Sequence, residues 1–270
     1  MCELFAMSSR CPTTVDFSLE LLARRGGDEG PHRDGWGVAF YGGRDVLLLR
    51  EPGAASESAL VRHIERHGPP SELVISHIRL ATVGELSLAN TQPFARELGG
   101  RMHVFAHNGD LPEIRAEQGG SPARFLALGE TDSELAFCNL MTRLAPIWDA
   151  AQGQVPSLAE RLGIVSDFAR ELRRCGTANF LYSDGEALFV HSHRRTPPGS
   201  EAVCPGMHVL ERSCEEGVPD LSRSGVVLNP VRQALTLVAS VPLTQEDWRP
   251  LGDGEILAIE RGRIAERQVG

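Results

Sequence analysis

Met1-Cys2-Glu3-Leu4-Phe5-Ala6-Met7 opens the chain, and its reading decides what the rest must hold in place. Glu3 to Met7 is mostly apolar and predicts a first β-strand, which would seat Cys2 at a strand end. A small side chain at position two favours removal of the initiator methionine. Cys2 would then carry a thiol and a free α-amine on one residue. The amine has an ordinary pKa of roughly 7.7–8.0, so near neutrality much of it is an unprotonated base. A neighbouring base is what converts a thiol into a thiolate nucleophile. The competing reading is a small residue in a frayed terminus, so the remaining sequence has to decide between them.

The chain has 270 residues, is 41% hydrophobic and 23% charged, and carries a formal net charge of −9. These values fit an ordinary globular protein with a sizeable core and argue against a nucleic-acid surface, which needs clustered basic residues. No Pro/Gly/Ser linker divides residues 1–270, so one domain is expected, with no synthase domain. No secretory signal and no membrane-length apolar run is present. The six cysteines, at positions 2, 11, 138, 175, 204 and 214, include no CxxC pair. Free thiols in a reducing, cytoplasmic setting are the expectation, and such a setting would keep a nucleophilic thiol free.

Helices are expected over residues 16–25, over 56–67 with Ser56 as N-cap, from Thr131 to about 144, and over 157–174. Thr131 followed by Glu134 reads as a capping box. A hairpin is expected from residues 38–41 and 46–50 around Gly42-Gly43, and further strands over 73–77 and 102–106. The last third reads as β over 179–183, 187–191, 206–210, 225–228, 235–241 and 255–260. Grouped strands joined by short turns predict a mainly antiparallel α+β domain. The glycine-rich run Arg25 to Gly37 is a loop that must turn with positive φ or pass close to something. Its Trp36 argues for packing. Asn108-Gly109 after a strand is a strong hairpin signal.

Taken in order, Cys2, Arg25-Gly26 followed by Asp34-Gly35-Trp36-Gly37, His77-Ile78-Arg79-Leu80-Ala81-Thr82, His107-Asn108-Gly109 and Thr131-Asp132-Ser133-Glu134 resemble the class II glutamine amidotransferase domain. These are enzymes of the N-terminal nucleophile hydrolase superfamily. The wording around Cys2, Trp36 and Asp132 is most similar to stand-alone bacterial members of the YafJ type. The resemblance implies a four-layer αββα sandwich of two mainly antiparallel sheets between helical layers. It implies that Cys2 attacks the side-chain amide of glutamine, with its own α-amine relaying the proton. Asn108 and the Gly109 N–H would form the oxyanion hole. Arg79 would pair with the substrate α-carboxylate, Asp132 would hold its α-ammonium, and Thr82 would line the loop over it. A γ-glutamyl thioester would form and hydrolyse to glutamate, releasing ammonia. His107 is expected to orient the turn rather than catalyse. Asp110 stands where many relatives carry Glu, Gln or a hydrophobic residue, a departure just beyond the oxyanion turn. Leu80 and Val83 stand where amino-sugar-forming relatives carry Trp and His, so the closing loop and ammonia channel of those relatives are not implied.

No cofactor is implied. Cys204, His208 and Cys214, with His191 and His193, match no standard zinc spacing. The expected ligand is glutamine or a γ-glutamyl small molecule. A separate ammonia-acceptor enzyme and a homodimer are possible partners, with no nucleic acid and no membrane. Two alternatives stand beside glutamine hydrolysis. One is a γ-glutamyl amide hydrolase acting on a small metabolite; the other is a regulatory or binding module that keeps the fold without turnover.

Overall fold

A computed structural model describes residues 2–14, 33–80, 84–115, 124–196, 201–213 and 233–269. The helix expected over 16–25, the strand expected over 225–228, Thr82 and Cys214 lie outside the described residues. Thirteen strands and three α-helices are described: β1 Glu3–Thr13, β2 Trp36–Gly42, β3 Asp45–Glu51, α1 Ala59–His67, β4 Ser71–Ile78, β5 Phe94–Leu98, β6 Arg101–Asn108, α2 Asp132–Ala150, α3 Leu158–Cys175, β7 Asn179–Ser183, β8 Leu188–His191, β9 His208–Ser213, β10 Ala234–Ala239, β11 Arg249–Pro250, β12 Ile256–Glu260 and β13 Arg263–Gln268. They form a seven-stranded sheet in the order β11-β9-β10-β1-β4-β2-β3 and a six-stranded sheet in the order β13-β12-β8-β7-β6-β5. Neighbouring strands in both sheets run antiparallel.

The layering follows from strand alternation, in which successive side chains point to opposite faces. In β1, Leu4 and Ala6 enter one core and Phe5 and Met7 enter another. The first core lies between the sheets, where Val104, Ala106, Leu181 and Val190 of the six-stranded sheet meet Leu4 and Ala6. The second packs Phe5, Met7, Val38 and Val74 under Val61 and Ile64 of α1. A third core sets Phe105, Phe180 and Tyr182 against Phe137, Leu140 and Met141 of α2 and Val165 and Phe168 of α3. Helix, sheet, sheet and helices therefore stack as four layers. Both faces of the central strands are buried, which is why residues 4–7 of β1, 38–41 of β2 and 180–182 of β7 are apolar without alternation.

Several local expectations change. The N-cap of α1 is Ser58, whose side chain accepts from Val61 N–H; Ser56 sits in a 3-10 turn before it. Thr131 does cap α2 by accepting from Glu134 N–H. The reciprocal half of that box is replaced, because the Glu134 carboxylate instead accepts from Leu128 N–H and Gly129 N–H and pairs with Arg96. The full capping box belongs to α3, where Ser157 and Glu160 satisfy one another's backbone. Gly37 explains part of the glycine-rich run. A Cβ there would lie 2.3 Å from the Gln92 carbonyl oxygen, so only glycine lets that segment cross β2. Trp36 is buried, and its indole N–H donates to Glu51.

One polar pair holds α3 to the six-stranded sheet. Arg161 donates to Asp184 at 2.7 Å, with the two side chains 4% and 0% exposed. Asp184 also accepts from Glu186 N–H and Ala187 N–H. Removing one partner of such a pair strands a buried charge, whereas removing both does not. Arg161→Ala is therefore expected to lower the unfolding free energy by about 3–5 kcal/mol. Arg161→Met combined with Asp184→Asn should cost far less, as read by denaturant unfolding of both proteins.

Candidate active site

Cys2 precedes β1 and shares the face of Leu4 and Ala6, so strand alternation directs it into the gap between the sheets. There the neighbouring chain takes hold of the sulfur. Leu80 N–H donates to Sγ at 3.3 Å, and the thiol donates to the Leu80 carbonyl at 3.4 Å. This happens because β4 pairs Ile78 with Glu3 and then continues past the end of β1 alongside Cys2. Burial pushes the Cys2 thiol up to about 11, against the lowering effects of the Leu80 bond and the Arg79 charge. At neutral pH the sulfur is thus a protonated thiol, and any chemistry on it needs a base at hand. With Met1 retained, alkylation of Cys2 by iodoacetamide should be slow at pH 7 and rise about tenfold per pH unit toward pH 11. A plateau near pH 8–9, the range of an unperturbed thiol, would contradict that shift.

Asn108 closes β6 on the facing sheet. Val104, Ala106 and Asn108 alternate onto the inter-sheet face, and Asn108 Nδ2 donates to the Cys2 carbonyl at 2.6 Å. Asn108 is fully buried, and its Oδ1 has no hydrogen-bond partner among the described residues. No hairpin follows it. The chain runs on through Gly109 into a turn that packs on the loop before β7. A Cβ on Gly109 would lie 1.9 Å from the Thr177 carbonyl oxygen, so glycine is required by close approach. Asp110 and Thr177 complete the contact: Asp110 N–H donates to Thr177 Oγ1 and Thr177 N–H to the Asp110 carbonyl.

His107 holds this turn from behind. Its Nε2 lies 3.1 Å from the Thr177 carbonyl and its Nδ1 2.9 Å from Ser133 Oγ. A carbonyl can only accept, which places the proton on Nε2 and makes Ser133 the donor to Nδ1. Burial holds its pKa down, so the ring is neutral. Its backbone is gripped as well, since Gln92 accepts from His107 N–H at 2.6 Å and donates to its carbonyl at 3.2 Å. These contacts fix both the ring and the backbone of His107 behind the turn.

Arg79 follows β4 and is 3% exposed. Its guanidinium donates to the carbonyls of Asp34, Gly84 and Glu85, which fixes the loop that begins past residue 83. Asp132, first residue of α2, accepts from Leu111 N–H at 2.7 Å and from Ser133 N–H at 2.7 Å. It thereby ties the helix N-terminus to the turn after Asn108-Gly109. Beside it, Asp110, Leu111, Pro112, Ile114, Glu130 and Leu135 line a cleft of about 640 Å³. The structure thus joins Cys2 directly to Asn108, sets Arg79 next to the Leu80 cradle, and links Asp132 to the Gly109 turn.

A family model described as class-II glutamine amidotransferases matches residues 1–269. The chain belongs to that family. The Escherichia coli K12 protein YafJ, provisionally named a glutamine amidotransferase, is 34% identical over 261 residues, covering 94% of this chain and 96% of its own. A crystal structure from Pseudomonas aeruginosa PA01, described as a predicted glutamine amidotransferase, superposes with a TM-score of 0.70 at 33% identity, covering 98% and 100% of the two chains. The fold also matches a glutamine phosphoribosylpyrophosphate amidotransferase from B. subtilis at a TM-score of 0.61, over 49% of that chain and at 15% identity. The αββα architecture is that of the N-terminal nucleophile amidotransferases.

Sequence reasoning missed several residues that shape this amidotransferase site. Gln92, Thr177 and Asn179 carry no motif, and Leu80, though inside one, acts through its backbone, which the motif does not reveal. Asn179, paired in register with Asn108, donates to the Asn108 and Arg194 carbonyls and accepts from His193 N–H. Thr82 lies outside the described residues. Cys204 donates to the His193 carbonyl, and no group of three His, Cys, Asp or Glu side chains is placed to hold a metal among the described residues.

Proposed function

We propose that this amidotransferase hydrolyses the side-chain amide of glutamine through a thioester on Cys2. The observation that carries the reading is the seating of the Cys2 sulfur between the N–H and C=O of Leu80 while Asn108 Nδ2 reaches the Cys2 backbone. Removal of Met1 frees the Cys2 α-amine, the base that a thiol with its pKa near 11 requires. The amine takes the thiol proton as sulfur attacks the amide carbon, and Asn108 Nδ2 with the Gly109 N–H receives the developing oxyanion. The amine then protonates the leaving nitrogen. Ammonia departs, and water cleaves the thioester to give glutamate. Arg79 and Asp132 hold the two charges of the amino-acid head.

A second substrate reading, a γ-glutamyl amide of a small metabolite, is favoured by the cleft beside Asp132. Its volume of about 640 Å³ lies in the range of roughly 300–1,000 Å³ that holds drug-sized ligands. Comparing kcat/KM for glutamine with that for a series of γ-glutamyl amides separates the two. For either substrate, Asp132→Asn should raise KM about ten- to hundredfold, the cost of a charge-assisted hydrogen bond to the α-ammonium. An unchanged KM would remove Asp132 from the binding site. A regulatory module without turnover would show neither activity and would keep Met1.

A further inference from the structure

Glu3 is the one charged residue in the otherwise apolar opening of β1, directly after the nucleophile, and its side chain is only 5% exposed. Its carboxylate is tied on both oxygens. Arg195 Nη2 donates to one at 2.8 Å, and the Ser240 hydroxyl donates to the other at 2.9 Å. Ser240 in turn accepts from Leu4 N–H at 3.1 Å and donates its own N–H to the Leu4 carbonyl at 3.0 Å. Arg195 Nη1 reaches the Ser240 carbonyl at 3.4 Å. The Arg195 backbone is itself fixed by reciprocal bonds with Val203, at 2.7 and 2.8 Å.

The origin of these groups matters. Arg195 lies on the segment that leaves β8 of the six-stranded sheet, whereas Glu3 belongs to β1 of the seven-stranded sheet. Asn108 makes the same crossing one residue earlier, on the Cys2 carbonyl. Two consecutive residues at the start of the chain are therefore each tied across the gap, where an unanchored terminus would fray. A buried ion pair is weak evidence of a contribution to stability, since an apolar replacement of both partners is often neutral. Its placement beside the nucleophile points to a different use.

We propose that Arg195, acting through Glu3, is a positioning residue for catalysis. It fixes the first residues of the processed chain so that Cys2 Sγ faces the oxyanion donors. This inference rests on the reading of Cys2 as nucleophile. A displacement of about 1 Å at a reacting group costs on the order of a hundredfold in rate, so a loosened Cys2 would lower kcat while substrate still binds.

The test compares wild type, Arg195→Met, Glu3→Gln and the Glu3→Gln/Arg195→Met double variant, each checked by intact mass for Met1 removal and assayed well below its Tm. Arg195→Met is expected to lower kcat for glutamine by about ten- to a hundredfold with KM little changed. Inactivation by a glutamine-mimicking diazoketone should slow in parallel, while alkylation of Cys2 by iodoacetamide, which needs no oxyanion site, should not. The double variant, which lacks the same tie, should lose kcat to about the same extent as Arg195→Met, since the two residues act as one unit. Should Arg195→Met fail to fold, Arg195→Lys carries the test. One ammonium cannot reproduce the fork that meets both Glu3 and Ser240, so about a tenfold loss in kcat is expected. A Tm loss with kcat within about twofold of an active wild type, or a double variant that recovers most of the lost kcat and so traces the loss to a stranded carboxylate, overturns the positioning role alone. A correctly processed wild type that neither hydrolyses glutamine nor accepts the diazoketone overturns the nucleophile reading first.

Discussion

Cys2→Ala is expected to abolish glutamine hydrolysis, by about 10⁴-fold or more, because it removes the proposed nucleophile. The fold should survive the change. Among the described residues the sulfur makes two weak hydrogen bonds, to the N–H and C=O of Leu80, so Tm should fall little while turnover disappears. Cys2→Ser is nearly as damaging, since its hydroxyl is harder to ionise than the thiol. A steady-state ammonia-release assay on both variants, with intact mass confirming Met1 removal, decides the point. Residual activity within about tenfold of wild type would require a different nucleophile.

Asn108→Ala should produce the next largest loss. Removing one oxyanion donor costs roughly 10²–10³ in kcat, about 3–4 kcal/mol of transition-state stabilisation. The signature is a fall in kcat with KM nearly unchanged, because the carboxamide meets charge that exists only once the amide is attacked. Asn108 also bonds the Cys2 carbonyl at 2.6 Å and is fully buried, so some thermal stability should be lost as well. Asn108→Asp is a sharper probe. It is close in shape but places an acceptor where a donor is required, and it should be at least as inactive. A rise in KM with kcat intact would assign Asn108 to ground-state binding instead.

What the sequence disclosed and what it concealed divide along physical lines. The central strands were legible where both faces are buried and the apolar run is unbroken, as over residues 4–7 of β1 and 180–182 of β7; the polar second half of β1, to Thr13, was not. β5 and β13 were not. They are the two edges of the six-stranded sheet, and Ala-Arg-Glu in one and Arg-Ile-Ala-Glu-Arg-Gln in the other hide any strand pattern. Thr131 was legible as a cap, but the partners that drew Glu134 away lie partly outside the local chain, with Arg96 38 positions away. At the site, Cys2, Asn108, Gly109, Arg79 and Asp132 stood out only as an ordered set, through resemblance. Each alone has an ordinary structural explanation. The groups that seat them act through single backbone atoms or distant side chains. Leu80 lies 78 positions from Cys2, Thr177 lies 70 from His107, and Arg195 lies 192 from Glu3. Local patterning carries no trace of such contacts, because their spacing is set by the stacking of two sheets.

The most direct test of the central claim is the mass of the intact protein and of its N-terminal peptide, before and after incubation with a glutamine-mimicking diazoketone. The expected result is loss of Met1, a single adduct on Cys2, and protection of that adduct by excess glutamine. A chain that keeps Met1 and remains unlabelled would contradict the account, since the α-amine base would then be absent and Cys2 would stay a buried, protonated thiol.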